Sequence, residues 1–230
     1  MYKTVVFDLD GTLLNTLTDL ADAGNRLCRK YGWPTHERQA YRYFVGNGIP
    51  KLVERLAPAD QRTPAVLEAA LADFKRDYGQ HLRDTTAPYP GIPEMLAKLK
   101  ANGVQLAVFS NKADALAKEV VKDYFGTQYF AIVRGQMTGV APKPAAEGTN
   151  ALLQALHADP ASTLYVGDSN VDVETAHNAN LPCCGAVWGF RTREELNAAG
   201  AEYLAENSDE LYDVCLLYTS PSPRDMRRSR

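Results

Sequence analysis

A run of β-branched and aromatic residues, Thr4-Val5-Val6-Phe7, ends abruptly in Asp8-Leu9-Asp10 and then Gly11-Thr12. Such a run reads as a buried strand, which puts two carboxylates where the strand leaves its sheet. Residues two apart on an extended chain point the same way, so Asp8 and Asp10 can share one pocket. Two carboxylates held close repel, and either a cation or a shared proton relieves the repulsion. A hard divalent ion with oxygen ligands does so and also attracts phosphate. Gly11 permits a sharp exit from the strand, and Thr12 adds a hydroxyl at its mouth. An ordinary Asp-Gly turn has the same local sequence, but it needs no partners elsewhere.

Partners are present, in a telling order. Val104–Phe109 leads into Ser110-Asn111-Lys112, Lys143-Pro144 opens a helical stretch, and Thr163–Val166 leads into Gly167-Asp168-Ser169-Asn170-Val171-Asp172. The periodicity predicts helices over 92–101, 113–124, 144–157, 170–179 and 192–199, and strands over 104–109, 129–133, 163–167 and 183–188. Alternation of this kind argues for a parallel sheet covered on both faces. Between the first strand and this series lies a block with helical patterning only, at 16–31, 36–44, 49–56 and 63–82. The fold class read here is α/β: a Rossmann-like parallel sheet core, residues 1–14 and 88–214, with an all-helical cap, 15–87, inserted after the first strand. In an open α/β sheet the carboxyl ends of the strands share one edge, where ligands bind. Asp8, Ser110, Lys143 and Asp168 can therefore converge.

These four motifs together resemble the haloacid dehalogenase superfamily over about residues 1–214. The resemblance implies that Asp8 is a nucleophile and Asp10 a general acid/base. It implies that Ser110, Asn111, Lys143 and Thr12 hold a phosphoryl group. Asp8, Asp168 and the Asp10 backbone carbonyl would serve Mg²⁺, with Asp172 supporting them or Lys143 from behind. The dehalogenating branch lacks the second Asp, the ion-pumping branch has Lys-Thr after its nucleophile, and the phosphomutases usually carry Gly-Val. Gly11-Thr12 is the phosphatase form. Phe44-Val45-Gly46-Asn47-Gly48, followed by Leu52-Val53-Glu54-Arg55, resembles the cap segment of phosphoglycolate phosphatases that meets the leaving group. The same Gly46, Asn47 and Gly48 also read as a plain turn between two helices. Asn15 stands where the branch usually has Asp, and Ala145-Ala146 where it has Asp-Pro. Lys51 reads as a solvated helix lysine and Arg191 as an exposed loop arginine.

The expected activity is hydrolysis of small phosphorylated metabolites, 2-phosphoglycolate first among them. Two other functions fit parts of the pattern. One is a sugar phosphomutase of the same superfamily, against which Thr12 argues. The other is a signalling module that accepts phosphate on an aspartate, a class without a helical insert after its first strand. A net charge of −3 on 230 residues gives no support for nucleic-acid binding. No apolar run reaches the roughly 20 residues of a membrane span, and the first strand begins too early for a signal peptide. A cytoplasmic monomer or homodimer is expected. Cys28, Cys183, Cys184 and Cys215 show no metal-like pairing. The string from Cys215 to Asp225 matches a translation of a transposase-type sequencing adapter, so residues 215–230 read as a non-native tail.

Overall fold

The computed structural model describes residues 1–216. In chain order the elements are β1 (Thr4–Phe7), β2 (Leu14–Asn15), α1 (Leu17–Tyr31), α2 (Arg38–Phe44), α3 (Ile49–Leu56), α4 (Pro64–Gln80) and β3 (Ala87–Pro88). There follow α5 (Ile92–Ala101), β4 (Gln105–Ala113), α6 (Asp114–Phe125), β5 (Phe130–Gln136), α7 (Ala146–Leu156), β6 (Thr163–Gly167) and α8 (Asn170–Asn178). The chain continues through β7 (Cys183–Ala186), α9 (Arg193–Ala199), β8 (Tyr203–Ala205) and α10 (Ser208–Leu216). Six strands form one sheet in the order β5-β4-β1-β6-β7-β8, and every pairing is parallel. Strand β1 lies between β4 and β6 and is buried along its whole length. Its β-branched residues suit that central position.

Most boundaries agree with the periodicity. Strand β8 escaped it, being three residues long. Strand β4 runs four residues past the expected end, with a shift in its pairing to β5 between Phe109 and Ala113. That extension carries Ser110, Asn111 and Lys112, all buried. Cys183 and Cys184 are fully buried in β7. Cys215 and Leu216, the first residues of the expected adapter-derived segment, complete α10, where Cys215 is buried and its carbonyl accepts from Tyr2 N–H. The rest of that segment, 217–230, lies outside the described residues. Among the described residues no helix is long and apolar enough to cross a membrane.

Helices α1 to α4 pack on one another above the carboxyl edge of the sheet. Helix α1 stops at Gly32, which takes the left-handed conformation a helix end favours. Thr63 caps α4 through its hydroxyl. The two chain crossings into this block pair as a short antiparallel ribbon, Leu14 opposite Pro88 and Asn15 opposite Ala87. Just beyond the ribbon, Asp19 is buried and accepts four hydrogen bonds, from the N–H groups of Thr85 and Thr86 (both 2.9 Å) and their hydroxyls (2.6 and 2.7 Å). A single carboxylate thus ties the outgoing chain to the returning one. Replacing Asp19 by Ala removes the acceptor of both N–H groups, of which that of Thr86 is buried, and should lower stability by about 1–3 kcal/mol. Urea unfolding followed by far-UV circular dichroism measures this, and an unchanged midpoint would remove Asp19 from the role.

Candidate active site

Three acidic side chains meet where β1 and β6 end. Asp8, Asp168 and Asp172 are buried, and one oxygen from each lies within 4.8 Å of the others. Asp8 leaves β1, Asp168 follows β6, and Asp172 stands in the first turn of α8, where it closes a capping box with Ser169. Lys143 reaches into the group from the loop before α7. Its ammonium is 2.7 Å from Asp8 Oδ1 and 2.7 Å from Asp172 Oδ1, and it also donates to Tyr165 Oη at 3.2 Å and the Phe109 carbonyl at 3.3 Å. Asp172 Oδ2 accepts from Ser169 N–H and hydroxyl. Asp168 accepts from the Thr12 hydroxyl at 3.1 Å and from Phe190 N–H at 2.7 Å. Gly11, with φ +94°, passes so close that a Cβ there would collide with the Asp168 carboxylate.

The electrostatics follow from burial. Desolvation pushes the Asp8 carboxyl up to about 7 despite the opposing pull of Lys143. Asp168 is held well above the usual carboxylate range by burial and then by the negative charges of Asp172 and Asp8. Burial also penalises the Lys143 ammonium, but Asp172 and Asp8 outweigh that penalty and the net shift is upward. Three buried carboxylates therefore face one ammonium. With all three ionised, the two negative charges left over match a divalent cation, and the oxygen-only donor set suits a hard one.

Asp10 does not join this group through its side chain. Its carboxylate turns to Lys112, at 3.1 and 3.3 Å, and Lys112 also donates to Tyr78 Oη at 2.9 Å. Burial pushes the Tyr78 hydroxyl up to about 12, so it stays protonated. Sequence reasoning gave neither Lys112 nor Tyr78 a role. The available signal was Lys112 itself, a lysine two residues past Ser110 on a strand buried from Leu106 to Lys112, where an ammonium needs an anion.

Among the other expected residues, Ser110 is buried and lines the cleft. The Thr12 hydroxyl is occupied by Asp168. The Asn111 amide is likewise occupied. Its nitrogen donates to the carbonyls of Gly46 (3.0 Å) and Lys143 (3.3 Å), and its oxygen accepts from Lys143 N–H. Thr12 and Asn111 thus help to shape the site through these protein contacts. The cleft is lined by Asp8, Asp10, Ser110, Asn111 and Lys112 below and by Leu20, Val45, Gly46, Gly48, Ile49, Leu52 and Tyr78 above. It encloses about 450 Å³ counting its open mouth, the scale of a small-metabolite site. Gly46 and Gly48 face it. Asn47 turns away, and its side-chain oxygen accepts from Arg55 at 2.9 Å.

A family model for haloacid dehalogenase-like hydrolases matches residues 5–186. The chain belongs to this family. Within the hydrolases it is similar to a phosphoglycolate phosphatase of Chromobacterium violaceum, 31% identical over 92% of this chain and 96% of that one. A phosphoglycolate phosphatase of Thiobacillus denitrificans is also 31% identical, over 82% and 84%. A crystal structure from Lactobacillus delbrueckii subsp. bulgaricus, provisionally named a phosphoglycolate phosphatase, superposes with a TM-score of 0.89 at 28% identity, covering 94% of this chain and 99% of that one. These likenesses place the hydrolase in the phosphoglycolate phosphatase-like branch, among the phosphoric monoester hydrolases.

In this hydrolase the cap is fastened to the core by a reciprocal pair of arginines. Arg42 of α2 donates to the carbonyls of Phe190 (2.8 Å) and Gly189 (2.6 Å). Arg191 donates back to the Arg42 carbonyl and stacks on the Tyr43 ring, 4.9 Å from its centroid. Arg191 is buried, which corrects the exposed arginine expected from sequence, because the cap covers it. Lys51 is exposed and pairs with Glu54 as expected of a solvated lysine. The same loop that Arg42 grips gives Phe190 N–H to Asp168 and Arg191 N–H to the Asp168 carbonyl. Replacing Arg42 by Ala should release this loop, seen as faster amide hydrogen exchange over residues 188–191 with the exchange of β1 unchanged. Equal protection in the variant would show that the loop does not depend on the cap.

Proposed function

We propose that the hydrolase is a Mg²⁺-dependent phosphatase that cleaves small phosphate monoesters through an aspartyl-phosphate on Asp8, with 2-phosphoglycolate as its foremost substrate. The observation that carries the reading is the charge imbalance at the sheet edge: three buried carboxylates and one ammonium under an apolar cap. Asp8, Asp168 and the Asp10 backbone carbonyl would hold the ion. Mg²⁺ there supplies charge neutralisation for the phosphoryl oxygens and for the carboxylate that attacks. The choice of 2-phosphoglycolate is supported by the names of the relatives, about 30% identical over most of the chain.

One oxygen of Asp8 attacks phosphorus in line with the ester oxygen, and the P–O bond to the alcohol breaks as the new one forms. Lys143 and the Ser110 hydroxyl bind phosphoryl oxygens. Asp172 keeps Lys143 in place from behind. Asp10 gives a proton to the departing alkoxide and takes one from the water that then hydrolyses the acyl phosphate. Lys112 holds the Asp10 side chain at the cleft. The cap, with Leu20, Val45, Ile49 and Leu52 on its inner surface, excludes bulk water from the reacting groups.

Asp8→Asn should abolish turnover with the fold intact, because an amide cannot form the acyl phosphate. Asp10→Asn should retain the nucleophile and lose about 10²–10⁴-fold in kcat, the usual contribution of general acid/base catalysis. Steady-state assays on both variants decide the assignments. Full activity of the first, or an unchanged kcat of the second on an alkyl ester, would overturn them.

Cation binding should depend on pH in a definite direction. With its pKa near 7 in the metal-free protein, Asp8 is mostly protonated at pH 6 and mostly ionised at pH 8. Binding needs the ionised form, so Mg²⁺ should expel protons at pH 6, fewer at pH 8, and bind more tightly as pH rises through 7. Calorimetric titrations in two buffers of different ionisation enthalpy count the protons. Proton-neutral binding at both pH values would contradict this account.

A further inference from the structure

We infer that Tyr78 and Lys112 form an anchor for the far end of the leaving group and select esters whose alcohol carries a carboxylate. The inference rests on the phosphatase reading above and assigns the part of the substrate that the phosphoryl chemistry leaves unbound. Lys112 is the one cationic residue among those lining the cleft. Its neighbours on the cap side, Leu20, Val45, Ile49 and Leu52, are apolar, so an anionic leaving group has no other positive partner there. An ammonium carries three donors. The two Asp10 oxygens, at 3.1 and 3.3 Å, fit one shared N–H, and Tyr78 Oη takes a second. The third donor is left for a ligand.

Tyr78 makes the complementary case. It is fully buried on the cleft wall, and its oxygen accepts from Lys112. Its own O–H has no acceptor among the described residues. A buried hydroxyl hydrogen without a partner is unfavourable, and a carboxylate in the cleft supplies the missing oxygen. Tyr78 comes from α4 in the cap and Lys112 from β4 in the core, so the anchor exists only when the cap is seated. A substrate that bridges the two stabilises the closed arrangement in which Asp8 reacts. A leaving group that is merely apolar contacts the cap without this bridge.

The test compares kcat/KM for three esters on the wild-type enzyme and on Tyr78→Phe, which keeps the ring. The esters are 2-phosphoglycolate, ethylene glycol monophosphate and ethyl phosphate, which differ in the far group: carboxylate, hydroxyl or none. A hydrogen bond to a charged group corresponds to roughly a tenfold or greater preference. The wild-type enzyme should therefore favour 2-phosphoglycolate over ethyl phosphate by at least about tenfold, and Tyr78→Phe should cut that ratio by about tenfold. Any loss transmitted through Lys112 and Asp10 falls on all three esters and cancels in the ratio. Lys112→Gln, which keeps a donor but no charge, should shift preference from the carboxylate ester toward the hydroxyl ester. It also serves as the test should Tyr78→Phe fold poorly by circular dichroism. A ratio unchanged in both variants, or a wild-type enzyme indifferent to all three esters, overturns the anchor. A wild-type enzyme that prefers ethylene glycol monophosphate, with the ratio still falling in Tyr78→Phe, keeps an oxygen anchor, overturns the selection of carboxylate and removes 2-phosphoglycolate as the foremost substrate.

Discussion

Everything at the carboxyl edge of the sheet depends on keeping three carboxylates buried around one ammonium. Withdrawing a charge from water is expensive unless it is paired and hydrogen-bonded. Lys143 satisfies two of the acids at 2.7 Å each. Asp172 is also held by the first turn of α8, Asp168 by Thr12 and the Phe190 N–H. Asp8 is the least satisfied: its Oδ2 has no hydrogen-bond partner among the described residues. The acid with the spare oxygen is the one read as the nucleophile. The crowding of Gly11 against Asp168 leaves no room for a side chain that would separate the group.

The cap is joined to this site by contacts that each reach a different part of it. Asn111 links the cap carbonyl of Gly46 to the backbone of Lys143. Arg42 grips the loop that orients Asp168. Tyr78 meets Lys112, which in turn holds Asp10. Lys143, Asp168 and Asp10 are thus each one hydrogen bond away from a residue the cap touches. Seating the cap both covers the cleft and completes the hydrogen bonding beneath it. Asp19 binds both chain crossings together.

Local patterning made much of this visible in advance. The run ending in Asp8, the helix-opening Lys143-Pro144 and the Asp168–Asp172 spacing each announce a strand or helix end, and ends of parallel strands lie together. Asp172, expected to support the site from behind, lies within the acidic cluster beside Asp8 and Asp168 and is bound to Lys143. Lys112 and Tyr78 were not recognised, because a lysine after Ser-Asn and a tyrosine on an amphipathic helix both have ordinary readings as surface and core. Arg191 was misread for a related reason: its burial depends on α2, which lies about 150 residues earlier in the chain. The protein partners of Thr12 and Asn111, Asp168 for the one and Gly46 and Lys143 for the other, have no local signature either.

What the sequence by itself determined is the order of elements, the parallel sheet, the helical insert and the set of strand ends that carry acids and lysines. Those properties follow from periodicities of two and 3.6 residues and from short motifs, all of which act within a few residues. Only the tertiary structure decided which polar groups pair: Lys112 with Asp10 and Tyr78, Arg42 with Gly189 and Phe190, Asn47 with Arg55 and not the cleft. A buried polar side chain must take whichever partner the fold brings within about 3 Å. Nothing in residue type or spacing encodes that distance across the 34 residues between Tyr78 and Lys112 or the 148 between Arg42 and Phe190.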